Sequence, residues 1–419
     1  MNKDYNNIDD KFYDYPDRPV PPEKRRSSFN IAMVTTGMAV AMSTLYTGSS
    51  LAMVLTFRDG IISVLVGCVI LFLLASITGS IGSNEGVSFS MVARYAFGRN
   101  GSKIVGLIFA MSMLGWFSYQ TGYFGETINI LAPGKFITSV KVATLWGGIL
   151  MMSTAIVGYK GMTILSYIAS PLLLILCIYG GLTGINNVGM EVIMNNMPDN
   201  PESLGTGITI VIGGWITGSI LQPDIARYAK KPKDNILGAL MAMIIFAIAN
   251  IGGFIIAKAT MAQNVMDGLV SLGMGVIALL IVILGQWTSN DNNLYSAALG
   301  IININPKLNK HKVSAVCGIF FTIIAIFGIQ NHFVGFLNIL GTFLPPFGAV
   351  LITDYYLLNN KENYSFEKNA KYPETNYIAF AAVILGGIVA FFFKFGSAAI
   401  NSMIVSTIAY YCFMKIKKD

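Results

Sequence analysis

Apolar residues in this chain come in long unbroken runs. They show neither the alternation of a half-buried strand nor the one-sided period of a surface helix. Charge-free stretches cover Ser27–Phe57, Gly60–Asn84, Ile104–Gly125, Val142–Tyr159, Gly161–Met190, Ser203–Pro223, Asn235–Ala257 and Gly268–Asn290. Val313–Thr353 is long enough for two spans, parted near Asn331-His332, and the chain ends with Thr375–Phe393 and Phe395–Met414. A bilayer core takes roughly 17–25 apolar residues per helix. The pattern therefore predicts an all-α integral membrane protein with twelve transmembrane helices. Residues 1–28 are polar, charged and proline-rich, lack the short apolar core of a cleavable signal, and read as a disordered tail. Residues 29–187 then hold five helices, 203–356 five more, and 375–415 the last two.

Composition closes off other classes. The chain is 54% hydrophobic and 12% charged, with a mean hydropathy of +0.62. A soluble domain carries about 25% charged residues, so this one could not cover a water-facing surface. With the N-terminus inside, 23 of the 28 Lys and Arg residues fall in the tail and the inner loops. The positive-inside rule then places both termini in the cytoplasm, in a cell (inner) membrane. The net charge of +7 is spread over six cytoplasmic segments and a tail, which argues against a nucleic-acid partner. Cys68, Cys177, Cys317 and Cys412 lie far apart, with no metal-ligand spacing. The sequence lacks HExxH, GxSxG and a phosphate-cradling GxxxxGK[ST]. No cofactor and no enzymatic activity are expected, and a secondary transporter is the leading class.

Polar residues within spans are expensive and default to function. They gather in TTGMAVAMSTLYTGSS (35–50), MSMLGWFSYQTGYFGE (111–126), GTGITIVIGGWITGSILQPD (205–224) and GQWTSNDNNLYSA (285–297). Spans 1 and 6 are rich in small residues near their middles, Gly37 with Ser43-Thr44 in one and Gly213-Gly214 in the other. Such helices can unwind where they line a cavity, which in two five-helix halves marks an inverted-repeat transporter. The alternative is close helix packing through small residues. In span 8, Gly285, Thr288, Ser289 and Asn292 share one helical stripe, and Gln286, Asn290 and Asn293 the adjacent one. Hydroxyls beside an upstream carbonyl suit Na⁺. The amides suit a flat, neutral, hydrogen-bonding ring. Trp116, with Gln120 one turn on, and Trp215 could sandwich such a ring; Trp146 and Trp287 read as packing residues.

GQWTSNDNNLYSAALG (285–300), LGWFSYQTGYFG (114–125), ARYAFGRNGS (93–102) and LPPFGAVLITDYYL (344–357) together resemble the nucleobase:cation symporter-1 family, in its branch of bacterial cytosine/purine permeases. The resemblance covers about residues 25–415. It implies a LeuT-type fold, a five-plus-five inverted repeat plus two C-terminal helices, and cation-coupled uptake. Carried over by motif, a sodium ion would meet the Gly285 backbone, Thr288 and Ser289, with span 1 carbonyls at Gly37 and Val40. The ring would stack between Trp116 and Trp215 and be read by Gln120, Thr217, Gln286, Asn290 and the Gly214 backbone. Met113, Trp215 and Gln286 depart from the cytosine-permease pattern, and the Trp pair with Gln120 is closer to hydantoin and purine-type members.

The expected function is import of a nucleobase, cytosine or a purine-like heterocycle, by Na⁺ symport. Hydantoin, allantoin or hydroxymethylpyrimidine substrates and proton coupling remain open, as does a membrane receptor that binds the ring without moving it. Asp291 reads as a cation-site tuner, a proton carrier or a partner for an inner-side Lys or Arg. Asp224 pairs with Arg227 and Glu85 with Arg94 on this reading, and Pro171 and Pro345-Pro346 should kink or break their helices.

Overall fold

The computed structural model describes residue 15 and residues 18–157, 159–262, 265–305, 308–358, 364, 372–393 and 395–418. The described regular structure is helical. Helices α1 (Ser28–Ala39), α2 (Met42–Val54), α3 (Phe57–Glu85), α4 (Phe89–Phe97), α5 (Arg99–Leu131), α6 (Val140–Val157), α7 (Tyr159–Val188) and α8 (Met190–Asn195) build the first half. The second half holds α9 (Leu204–Ile220), α10 (Pro223–Ala226), α11 (Pro232–Thr260), α12 (Val265–Ser271), α13 (Gly275–Ile304), α14 (Lys310–Ile326), α15 (Phe333–Phe343) and α16 (Pro345–Thr353). Helices α17 (Tyr377–Phe392) and α18 (Ala398–Lys418) complete the chain.

Every charge-free run carries a helix. Among the described residues, seven helical spans are long and apolar enough to cross a membrane, with α9–α10 and α15–α16 each taken as one, or eight if the bent α1–α2 pair counts as one. The expectation of twelve exceeds that number for local reasons. Helices α6 and α17 are apolar but short, and α13 carries the polar stretch through its middle.

Packing separates two groups. Helices α1, α2, α3, α9 and α11 pack on one another, and α5, α6, α13 and α14 form the second mutually packed set. Helix α7 touches both, through α11 and through α13. The two groups meet where α2 packs on α13.

Glycine decides several of these contacts. A Cβ on Gly213 would lie 2.0 Å from the Leu337 carbonyl oxygen, and one on Gly341 2.2 Å from the Thr209 carbonyl oxygen. The backbones of α9 and α15 therefore touch, which only glycine permits. This corrects the expected break in span 6. Helix α9 runs straight through Gly213-Gly214 and ends at Ile220, followed by Leu221-Gln222 and Pro223 at the first turn of α10. The glycine pair serves packing. The span 1 break is present, at Val40-Ala41, where α1 and α2 meet at 51°. Pro171 sits inside α7 without ending it. The chain leaves helix at Leu344, and the proline pair opens α16.

The tail from Arg18 onward, together with Tyr15, is docked rather than loose; residues 1–14, 16 and 17 lie outside the described residues. Val20 N–H donates to the Gly86 carbonyl (2.8 Å), Arg25 Nη1 to the Ser83 carbonyl (2.8 Å) and Arg26 N–H to the Tyr228 carbonyl (2.6 Å). Arg227 Nη1 reaches back to the Tyr15 carbonyl at 3.0 Å. Gly86 has φ +71°, and a Cβ there would lie 2.6 Å from Arg25 Nη2. On the same face, Asp354 accepts from the Tyr364 hydroxyl and from the Tyr410 hydroxyl (2.7 Å). Asn376 Nδ2 joins Tyr410 (3.0 Å) and the Ala96 carbonyl (2.8 Å). Burial, and then the adjacent Asp354 carboxylate, hold the Tyr364 phenol far above its usual range, so it remains a protonated donor.

Of the expected loop pairs, Glu85–Arg94 is replaced by other partners, while Asp224 and Arg227 stay together. Glu85 accepts from the Tyr355 hydroxyl, and Arg94 lies over the Tyr372 ring at 6.0 Å. The Asp224 carboxylate accepts from Phe89 N–H at 2.8 Å, in the first turn of α4. Arg227 remains its charge partner, and Arg227 Nε also donates to the Asp224 main-chain carbonyl, 3.1 Å away.

Candidate substrate and ion site

Ending α1 at Ala39 takes its last carbonyls out of the helical ladder. Val40 N–H still bonds the Thr36 carbonyl (3.0 Å), and Thr44 Oγ1 donates to the Ala39 carbonyl (2.9 Å). Gly37 lies in this final turn, and Val40 has left the helix with φ −90° and ψ 78°. In α13, Thr288 Oγ1 and Ser289 Oγ both donate to the Gly285 carbonyl, at 3.0 and 2.8 Å. Three oxygens thus gather in one turn, and the hydroxyl lone pairs remain for a hard cation. At Gly285 an added Cβ would lie 2.4 Å from Leu173 Cδ1, so the leucine side chain would have to shift.

The indoles of Trp116 and Trp215 are buried in the same core cluster. Trp116 packs T-shaped against Phe333 (5.8 Å) and Phe336 (5.2 Å) of α15. Trp215 lies tilted against Phe246 at 6.5 Å, with Gly218 leaving room for the indole. Thr217 faces α5, where its Oγ1 sits 3.3 Å from Ser112 Oγ. The Ser112 proton goes to the Phe109 carbonyl, so Thr217 is the donor of that pair. At Gly214 an added Cβ would press on Thr47 at 3.3 Å.

Six carboxamide oxygens among the described residues are buried without a hydrogen-bond partner, and three of them belong to residues expected to read the ring. The oxygens Gln120 Oε1, Gln286 Oε1 and Asn290 Oδ1 are buried with no hydrogen-bond partner among the described residues. Two of these amides have a fixed orientation. Asn290 Nδ2 donates to the Phe117 carbonyl (3.0 Å) and to Thr121 Oγ1 (2.8 Å), and a carbonyl can only accept. Gln286 Nε2 points at Thr127 Oγ1 (3.4 Å), whose own proton goes to the Tyr123 carbonyl (2.8 Å). The free ends at both residues are therefore acceptors. An unpaired buried oxygen costs about 1–3 kcal/mol, which a ligand N–H would recover.

Asp291 is almost fully buried, and Thr154 Oγ1 donates to its Oδ1 at 2.6 Å. Trp287 Nε1 donates to the same Thr154 oxygen at 3.0 Å. The triad stitches α13 to α6, and no Lys or Arg among the described residues pairs with the carboxylate. Trp146 Nε1 donates to the Ile137 carbonyl at 3.0 Å.

Sequence reasoning passed over Tyr46 and Tyr123, although both stand in the polar stretches that it singled out. Their rings stack at 3.7 Å and 13°. They line a cavity of about 890 Å³ together with Glu126, Asn129, Gln330 and Phe333, and Phe333 also packs on Trp116. Aromatic residues at helical spacing read first as core, which hid them.

Long apolar helices in two packed groups, a bent span at their junction and a buried nest of hydroxyls and amides define the class: a membrane transporter of LeuT-type fold. Residues 19–414 match the family described as permeases for cytosine/purines, uracil, thiamine and allantoin, and the chain belongs to that family. It is 29% identical over 397 residues to the cytosine permease of Escherichia coli (strain K12), covering 94% of this chain and 92% of that one. The inward-facing conformation of Mhp1 superposes with a TM-score of 0.82 at 21% identity, over 96% of this chain and 93% of that one. Mhp1 in a closed conformation with bromovinylhydantoin bound, a nucleobase-cation-symport-1 family transporter, gives a TM-score of 0.78 at 21% identity, with 96% and 95% covered.

Proposed function

We propose that the chain imports a nucleobase, cytosine or a related amino-bearing heterocycle, coupled to Na⁺. The observation that carries this reading is the two unpaired acceptor oxygens, Gln286 Oε1 and Asn290 Oδ1, with the buried Gln120 carboxamide as a third polar group. They ask for a ligand rich in N–H donors, which such rings present at their edges. Trp116 and Trp215 supply apolar faces for stacking, and Thr217 adds a hydroxyl; the Gly214 backbone, held inside the unbroken α9, is not free to join them. The ion binds at Gly285, Thr288 and Ser289, with the carbonyls of Gly37 and Val40 across the span 1 break. It steadies that break, and joint occupation by ion and ring favours the transition to the inward-facing state. The charge pattern supports an inner-membrane location with both termini in the cytoplasm, and the five-plus-five repeat with two further helices is the architecture that this mechanism uses.

The test is a thermal-shift screen of purified protein against cytosine, uracil, adenine, hypoxanthine, hydantoin and allantoin, each in Na⁺ or choline. Stabilisation by cytosine or adenine only in Na⁺ is the expected result. Stabilisation independent of Na⁺ points to proton coupling, and preference for hydantoin or allantoin reassigns the ring. Counterflow in proteoliposomes separates transport from binding alone.

A further inference from the structure

Tyr46 stands where three parts of the molecule meet. It belongs to α2, just past the break in span 1, and is 3% exposed. Gln286 Nε2, on the residue that follows the Gly285 carbonyl, donates to the Tyr46 hydroxyl at 3.3 Å. The Tyr46 ring stacks on Tyr123 of α5 at 3.7 Å. Phe333, the first residue of α15, packs T-shaped against both rings, at 6.4 Å from Tyr46 and 5.6 Å from Tyr123. The Tyr123 hydroxyl then donates to the Gln330 carbonyl (3.3 Å), and that of Tyr119 to the His332 carbonyl (3.1 Å). A continuous chain of contacts therefore runs from the Gly285–Ser289 turn, through one amide and one phenol, to the segment that covers Trp116.

We infer that Tyr46 is a positioning residue that transmits ion occupancy at the α13 turn to the aromatic cover over the substrate. The inference rests on the ion reading above. An ion drawn to the Gly285 carbonyl fixes the turn that carries Gln286. The Gln286 amide then fixes the Tyr46 ring in register with Tyr123. That stack is the seat on which Phe333 closes, so ion and ring each favour the other's retention. The hydroxyl is the only polar link between α2 and this turn among the contacts described above, whereas the stack would survive without it.

The measurement is the substrate dissociation constant in Na⁺ and in choline, for wild type and for Tyr46→Phe, with Na⁺ binding alone recorded beside it. Wild type should bind substrate tighter in Na⁺. Tyr46→Phe should keep its melting temperature and its Na⁺ affinity without substrate, while the factor by which Na⁺ tightens substrate binding falls about fivefold, the worth of one hydrogen bond. Gln286→Met should lower the same factor, and adding Tyr46→Phe to it should lower it no further. An unchanged factor in Tyr46→Phe beside a normal wild-type response overturns this inference alone, as do additive losses in the double variant. A wild-type factor of one overturns the ion reading and this inference with it.

Discussion

Thr288 and Trp116 divide the work of the site between a charge and a ring, and each can be removed singly. Thr288→Ala deletes one hydroxyl from the Gly285 turn. A hydroxyl acting on a charge is worth about 1.5–3 kcal/mol, so half-saturating Na⁺ for substrate binding should rise at least about tenfold. A full sodium response in that variant removes Thr288 from the ion site. Trp116→Ala removes a stacking face worth about 1–3 kcal/mol, and titration should show substrate affinity falling roughly five- to a hundredfold. Unchanged affinity would place the ring elsewhere. At this scale the sequence was legible in kind: Gln120, Gln286 and Asn290 stood out as polar residues in oil. It was silent on direction, because Asn290 spends its nitrogen on the Phe117 carbonyl of another helix, and only the fold makes its oxygen the free end.

Helices were legible because each charge-free run is also a run long enough to fold back on itself as helix. Breaks were not, because glycine both loosens a helix and lets another backbone approach it. The two uses separate experimentally. Gly213→Ala drives a Cβ to 2.0 Å from the Leu337 carbonyl and should cost about 1–3 kcal/mol by overpacking, seen as a lower melting temperature. Gly37→Ala meets nothing within 4 Å and adds helix propensity to α1, so its melting temperature should hold or rise. Equal losses in both would mean that the α9–α15 contact is looser than described. The real interruption after Ile220 is carried by Pro223 and by the Gln222 side chain, whose Nε2 donates to Thr35 Oγ1 (3.2 Å) and Asn235 Oδ1 (3.0 Å). Those partners lie 187 and 13 residues away, and the first of them no local pattern could supply.

At the scale of the whole molecule, two packed helix groups lie with α7 against both, α15 to α18 pack on one another and on α9, and a terminal segment ties loops of the first group. The composition of that segment suggested disorder. Its order comes from carbonyls at Ser83, Gly86 and Tyr228, which the chain brings to one place only when folded. Gly86→Ala forbids the left-handed turn and pushes on Arg25. Limited trypsin digestion should then cut at Arg25 and Arg26 faster than in wild type, while the substrate dissociation constant in Na⁺ stays the same. An unchanged digestion rate would mean that Gly86 does not hold the segment. The docking also sets an order of events during synthesis. Tyr15 and Arg227 are 212 residues apart, and a ribosome adds about 5–20 residues per second. The start of the chain therefore waits roughly 10–40 s for its anchor to be made, and throughout that interval the first half-helix sits in the bilayer without its fastening.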